Sequence, residues 1–270
     1  MRKLLISTAA AGLLALPAAP VFAQASSPLS WSANVGLFSD YLFRGVSQTG
    51  GEPAVQGGFD LGYEAGPVNL YAGTWASNVS WLEDAGAYTN SSLEWDFYGG
   101  VNGSIGNTGL GWDAGLIYYY YPGSKTPGAV SANTTEIYGA LSWKWLSAKY
   151  SYSLSDYFGV RDITGAKSDG TWYLDLKAKY DFEDGPAKGV SVWGHYGITE
   201  VNGTYAPGAD PSYNDWQIGA SYTVQSSVFK DTEIGGYWSD TAKIDRAVYT
   251  NAQGYDTAKG MFVVYVKKTF

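Results

Sequence analysis

Group-transfer chemistry needs a nucleophile with a base beside it, and this sequence offers few of either: one histidine, His195, and no cysteine in 270 residues. The lack of cysteine also excludes a disulfide framework and a thiolate metal site. Paired carboxylates remain. Glu94 and Asp96 stand two residues apart, which on a strand puts them on one face at about 7 Å, a common spacing and weak evidence for chemistry on a sugar. Asp40 and Arg44 stand four apart, about 13 Å along a strand and too far to pair directly, so each is expected to meet a partner elsewhere. Asp210, Asp215, Asp240, Asp245 and Asp256 have no EF-hand spacing. The sequence therefore predicts no catalytic residue, no cofactor, no metal ligand and no enzyme.

The elements that carry these residues read as strands of one kind. Trp172, Leu174, Leu176, Ala178, Tyr180 and Phe182 alternate with Tyr173, Asp175, Lys177, Lys179 and Asp181, the period of a strand with one apolar and one polar face. Val55 to Glu64 and Leu93 to Tyr98 repeat the pattern, and further strands are predicted to begin near Trp31, Val68, Leu110, Thr135, Ala148, Val190, Trp216, Phe229 and Gly260. Short links at Gly66-Pro67, Gly106 to Gly109, Leu146-Ser147, Asp184 to Pro186 and Gln225 to Ser227 alternate with longer polar stretches. The expected fold is all-β: one transmembrane antiparallel up-and-down β-barrel of about twelve strands, with both termini periplasmic.

Composition agrees. The 23 Tyr and 11 Trp suit the aromatic girdles of a barrel, and no segment after the N-terminal one is apolar enough for a transmembrane helix. Residues 1–23 carry Arg2 and Lys3, an apolar run from Leu4 to Leu16 and Val21-Phe22-Ala23, the pattern of a cleaved signal peptide, leaving 24–270 as the barrel. Removing Arg2 and Lys3 takes the formal charge from −8 to −10, which argues against a nucleic-acid partner. The chain ends on a strand closed by Phe270, an ending that resembles the signal read by the barrel-assembly machinery. Lys268, out of step with that strand's apolar face, is expected near the periplasmic interface, where its side chain can snorkel.

The stretch Phe38-Ser39-Asp40-Tyr41-Leu42-Phe43-Arg44-Gly45-Val46-Ser47-Gln48-Thr49 resembles the opening motif of the TorF-like outer-membrane porin family. Pro53 to Gly58, Gly73 to Val79, Glu94 to Gly100, Tyr120 to Gly123 and Tyr150 to Ser153 are similar to that family too, so the resemblance runs the length of the barrel. It implies a bacterial outer-membrane barrel with porin-like function and no agreed substrate.

Parity assigns an inner wall. Asp40, Arg44, Asp60, Glu64, Glu94, Asp96 and Asp113 are expected to face the lumen from the first five strands, and Lys144, Lys149, Asp175, Lys177, Lys179 and His195 to line it from the later ones. Acidic and basic arcs on different walls produce a transverse field. Inward tyrosines and Trp193 offer flat faces to a sugar or simply fill space, and at this strand number a narrow or loop-plugged pore is expected. The function read from the sequence is passive diffusion of small hydrophilic solutes with a weak cation preference, with outer-membrane lipid and lipopolysaccharide as surroundings. The alternative is a pore-less barrel whose outer loops serve adhesion or surface organisation.

Overall fold

The computed structural model describes residues 28–270. The signal peptide expected over 1–23 lies outside the described residues. Strand β1 (Leu29–Phe38) is followed by two short strands, β2 (Leu42–Phe43) and β3 (Val46–Ser47), which form a hairpin of their own. Then come β4 (Ala54–Ala65), β5 (Val68–Asn78), a single helical turn α1 (Trp81–Asp84), β6 (Leu93–Ser104), β7 (Leu110–Tyr120), β8 (Thr134–Trp143) and β9 (Leu146–Ser153). The wall is completed by β10 (Trp172–Asp181), β11 (Val190–Glu200), β12 (Tyr213–Thr223), β13 (Thr232–Ala242) and β14 (Met261–Thr269). β1 and β4 to β14 pair antiparallel, each with its neighbour, and β14 returns to β1, closing a twelve-strand barrel.

Alternation drives this closure. Leu176, Ile218 and Phe262 lie outward at 44%, 63% and 61% exposure, an apolar belt that only hydrocarbon can cover. Inward positions are Gly, Ser, Tyr and charged residues. A register slip of one would drive Lys177 and Lys179 into that belt at about 2–4 kcal/mol each near the midplane. Closure leaves no unpaired edge, as a membrane barrel requires. At the seam only Asn34 to Phe38 pair with Thr269 to Tyr265, and Phe270 extends the ladder through its amide to Ala33 O at 2.9 Å.

The six long connections share one end with the hairpin, while the five short turns and both ends of the described chain share the other, which faces the periplasm in bacterial barrels. The clearest differences from the sequence reading are at three boundaries, while β12 starts three residues before the expected Trp216. The turn expected at Leu146-Ser147 falls at Lys144-Trp145, where Lys144 takes a positive φ of 55°, the left-handed backbone of a tight hairpin. Phe229, expected to open a strand, lies in the turn before β13. The largest difference is at β1, which stops at Phe38. Residues 39–53 leave the wall and fold into the barrel rather than extending it.

Glycines let inward aromatic rings lie flat along the wall. A Cβ on Gly100 would meet the Tyr71 ring and Ala114 O at 2.5 Å, and one on Gly219 would meet the Trp193 ring at 2.5 Å. Each ring covers the bare backbone of its neighbouring strand.

Candidate functional site

The lumen divides into two halves. On the outer side, inward residues such as Glu94, Asp96, Glu136, Tyr119 and Asp215 are buried, and they are buried by the β2–β3 hairpin. Its turn is built from Arg44 and Gly45, with φ of 48° and 79°, the two positive values that a tight two-residue hairpin needs. Gly45 is required by space as well as by φ, since a Cβ there would stand 2.7 Å from Asp215 Cβ and 3.2 Å from Thr241 Cγ2. The hairpin tip thus rests against β12 and β13.

Polar pins fix this plug. Arg44 Nη2 donates to Glu136 Oε1 and Oε2 of β8 at 3.0 and 2.8 Å, and Nη1 donates to the Tyr157 hydroxyl at 3.1 Å. The guanidinium also stands 4.3 Å over the Tyr173 ring of β10. At the hairpin base Tyr41 donates to Glu94 Oε1 at 2.6 Å, matched by Tyr121 on Oε2 at 2.6 Å. Asp40 Oδ1 accepts from the Ser47 and Thr49 hydroxyls, each at 2.7 Å, tying the hairpin strands together. Phe43 packs on Tyr119 and Phe158 with centroids at 5.8 and 5.2 Å. Loops close over the top: Ser80 N donates to Gln48 O at 2.8 Å and Ser47 N to Thr257 O at 2.7 Å.

Beside the plug tip, His195 of β11 lies between two carboxylates. Its Nδ1 is 2.9 Å from Asp175 Oδ1 and its Nε2 is 3.0 Å from Asp215 Oδ1. The first is a hydrogen bond. The second has the distance for charge attraction but not the direction of a hydrogen bond. Asp215 also receives the Tyr173 hydroxyl at 3.2 Å, so the pins of Arg44 and of His195 meet on one tyrosine.

The periplasmic half is wetter. Asp60, Asp113, Lys149, Lys177, Lys179 and Asp181 are all partly exposed inside the wall. Tyr98 donates to Asp60 Oδ1 at 2.6 Å and Tyr71 to Asp113 Oδ1 at 2.7 Å. Lys149 stands 3.9 Å over the Tyr138 ring, and Lys179 pairs with Asp181 at 2.9 Å. The acids of β4 to β7 and the lysines of β9 and β10 occupy different arcs of the closed order.

Of the residues singled out by sequence, Asp60, Glu64, Glu94, Asp96, Asp113, Lys149, Asp175, Lys177, Lys179 and His195 hold inward positions on wall strands, with Glu64 exposed at the periplasmic rim. Three differ. Lys144 sits in the exposed β8–β9 turn with its ammonium 4.4 Å over the Trp143 ring, because the turn comes two residues early. Asp40 and Arg44 are not on the wall of strand one but in the plug, both buried. Glu136, Tyr157 and Lys267 were missed. Glu136 and Lys267 were legible by parity, while Tyr157 lies in a loop that no period places.

A closed antiparallel barrel with an apolar outer belt, a polar interior and long loops on one end is a bacterial outer-membrane β-barrel protein. The chain belongs to the Gcw_chp family, described as bacterial proteins of unknown function, whose model matches residues 22–270. No curated protein matches it. Among solved structures, a chain from a study of the in-meso crystallization of membrane proteins aligns with a TM-score of 0.51 at 8% identity, covering 89% of this chain and 83% of that one. OccAB3 of Acinetobacter baumannii aligns at 0.43 and 13%, covering 90% of this chain and 65% of its own. OccK5 (OpdH) of Pseudomonas aeruginosa aligns at 0.42 and 15%, covering 90% and 67%. The chain thus spans about two thirds of the two Occ chains, and the likeness to the first of these structures, at 8% identity, is one of fold.

Proposed function

We propose that this protein is a plugged outer-membrane channel for small hydrophilic solutes, in which the β2–β3 hairpin is the gate. The observation that carries this reading is the kind of surface on which the plug rests. A barrel filled only for stability is served well by apolar packing, since buried ion pairs add little net stability. Here the hairpin tip is held by a buried arginine on Glu136 at 2.8 Å, above a charged and partly exposed vestibule. Ion pairs of this kind fix one arrangement against alternatives, which is what a gate needs.

On the inner wall from the plug tip to the periplasmic rim, Asp60, Glu64, Asp113, Asp175, Asp181 and Glu233 outnumber Lys149, Lys177, Lys179 and Lys267, Asp175 being held by His195 and Glu233 buried against Tyr265. The excess of carboxylates supports a weak cation preference during passive diffusion. The resemblance of residues 38–49 to the opening motif of the TorF-like porins agrees with this reading, and that motif is the plug itself. Outer-membrane lipid and lipopolysaccharide surround the barrel, and Phe270 is the residue for the assembly machinery to recognise.

The test is single-channel conductance in planar bilayers of the wild type beside Arg44→Ala. Rare steps in the wild type and frequent ones in the variant are expected. Silence from both, in heat-modifiable and therefore folded barrels, would instead favour the pore-less surface protein, a reading that the filled outer half also supports.

A further inference from the structure

Three segments that meet over the base of the plug enclose a cavity of about 360 Å³ on the loop side of the barrel. One wall is residues 49–52, where the chain returns from the hairpin to β4. The second is Asn78 to Asp84, at the start of the β5–β6 connection, and the third is Asn251 to Tyr255 of the β13–β14 connection. Unlike the packed lumen beneath it, this space is open to solvent: Glu52 and Gln253 are exposed, and Asp84, Asn251 and Tyr255 are partly so. Its volume is that of a site for a small molecule.

The walls are fixed before any ligand arrives. Ser80 N and Trp81 N donate to Gln48 O at 2.8 and 3.2 Å. Asn78 accepts from Val55 N at 2.7 Å and donates to Pro53 O at 3.1 Å, while Asn251 Oδ1 accepts from Gln253 N and Tyr255 N at 3.2 and 2.8 Å. A Cβ on Gly50 would point across the space, 3.6 Å from Asp84 Oδ2 and 3.7 Å from Ser80 Oγ. The charge is of one sign. Glu52 and Asp84 line the cavity, and no lysine or arginine does. Arg246 and Lys259 of the β13–β14 connection are engaged elsewhere, the first with Asp256 at 2.7 Å and the second 4.0 Å over the Tyr255 ring. The Ser80 hydroxyl holds Asp84 Oδ2 in place at 2.7 Å. The Tyr255 hydroxyl registers the same negative field, since burial first and then Asp40, Asp256 and Glu52 push it above its ordinary value.

We infer that this cavity binds a small organic cation carrying a primary ammonium group, with Glu52 and Asp84 as its counter-charges. The chemistry selects it. An ammonium brings three N–H donors and no acceptor, and the walls offer carboxylate oxygens, the Gln253 amide and the Tyr255 hydroxyl to receive them. Hydrogen bonds between ionised partners are the strong ones. An anion would meet two like charges, and a neutral solute would make no use of either. A bare metal ion needs several oxygens drawn about one point, and no group of three such side chains is so placed among the described residues. Because one wall is the plug return, the site is complete only with the hairpin seated, and an occupant touches both the plug and the loops that close over it. Binding at this outer face requires no open path through the barrel.

The experiment is isothermal titration, at low ionic strength, of refolded, heat-modifiable protein in detergent with putrescine, beside glucose, succinate and magnesium chloride. Putrescine is expected to bind more tightly than any of the other three. Glu52→Gln and Asp84→Asn are each expected to weaken that binding about tenfold, the worth of one charge-assisted hydrogen bond. Glu52 is exposed, so its variant keeps the comparison should Asp84→Asn not fold. Glu183→Gln removes a carboxylate from the exposed β10–β11 turn at the opposite end of the barrel and should leave the affinity unchanged. No putrescine binding by a folded wild type, unchanged affinity in either folded cavity variant, or an equal loss in Glu183→Gln overturns the site. Magnesium, glucose or succinate binding as tightly as putrescine overturns the ligand class. Conductance decides the other question. Amine binding in a barrel that never conducts keeps the site and sinks the channel, whereas a conducting barrel that ignores putrescine does the reverse.

Discussion

Arg44 shows how much of this molecule hangs on single side chains. It makes two contacts to Glu136 and one to Tyr157 from a planar fork with fixed geometry, and lysine, a point charge, cannot reproduce both at once. Arg44→Ala leaves the Glu136 carboxylate buried without its cation, a loss of about 3–5 kcal/mol from the plugged state. The plug is expected to leave the lumen more readily, seen as more frequent conductance steps, with Arg44→Lys intermediate. A second residue acts outside the membrane. Asp162 Oδ1 accepts from the Thr164 hydroxyl at 2.6 Å and from the amides of Thr164 and Ala166 at 2.8 and 2.9 Å, while Oδ2 accepts from Thr204 N at 3.3 Å. Led by the Thr164 hydroxyl, these bonds hold its carboxyl down at about 2. Since the folded value is depressed, the tie it makes between the β9–β10 and β11–β12 loops is complete above about pH 4, the range of a free aspartate, and is lost as pH falls toward 2. Carboxyl NMR titration is expected to find a midpoint well below that of an exposed aspartate; an ordinary midpoint would mean the tie does not form in solution.

At the scale of elements, the hairpin depends on the Arg44-Gly45 turn. Gly45→Ala puts a Cβ into left-handed backbone and 2.7 Å from Asp215 Cβ, so the tip is expected to lift from β12 and β13 while the wall strands stay paired. Trypsin reports this directly. The wild type should resist cleavage after Arg44, which is 3% exposed, and Gly45→Ala should be cut there while remaining heat-modifiable. Equal resistance would show that the hairpin tolerates the extra carbon without moving.

The whole molecule is organised by two boundaries, lipid outside and water within. Leu176→Arg places a charge in the apolar belt at a cost of about 2–4 kcal/mol near the midplane, and slower or incomplete insertion into liposomes, read by heat modifiability, is expected. Selectivity belongs to the vestibule rather than to the sealed half. Asp96 is 1% exposed and lies beneath the plug, which makes it a poor place to probe conduction, whereas Asp113 is partly exposed in the vestibule. Asp113→Lys should move the reversal potential toward anions without unfolding the barrel; an unchanged potential in a conducting variant would remove the acidic arc from the permeation path.

Much of this was fixed by local pattern. Alternation along each strand determined which residues face lipid and which face inward, because one step of register costs several kcal/mol wherever a lysine would enter hydrocarbon, and so Asp60, Asp113, Lys177 and His195 were legible by parity alone. The alternation of short and long connections determined the strand number and the end at which the loops gather. The turn at Lys144 was misplaced by two residues because Trp143, Trp145 and Leu146 are apolar on both sides of it and blur the period. What no local pattern carries is where a loop goes. Asp40 and Arg44 continue the polarity of β1 on paper, yet Asp40 is turned back onto Ser47 of its own hairpin and Arg44 finds its partner on β8, 92 residues away. Only the closed barrel brings Glu136, Tyr157 and Asp215 around one hairpin tip, because their proximity comes from curvature of the sheet and from long-range pairing, neither of which is written in the neighbourhood of any one residue.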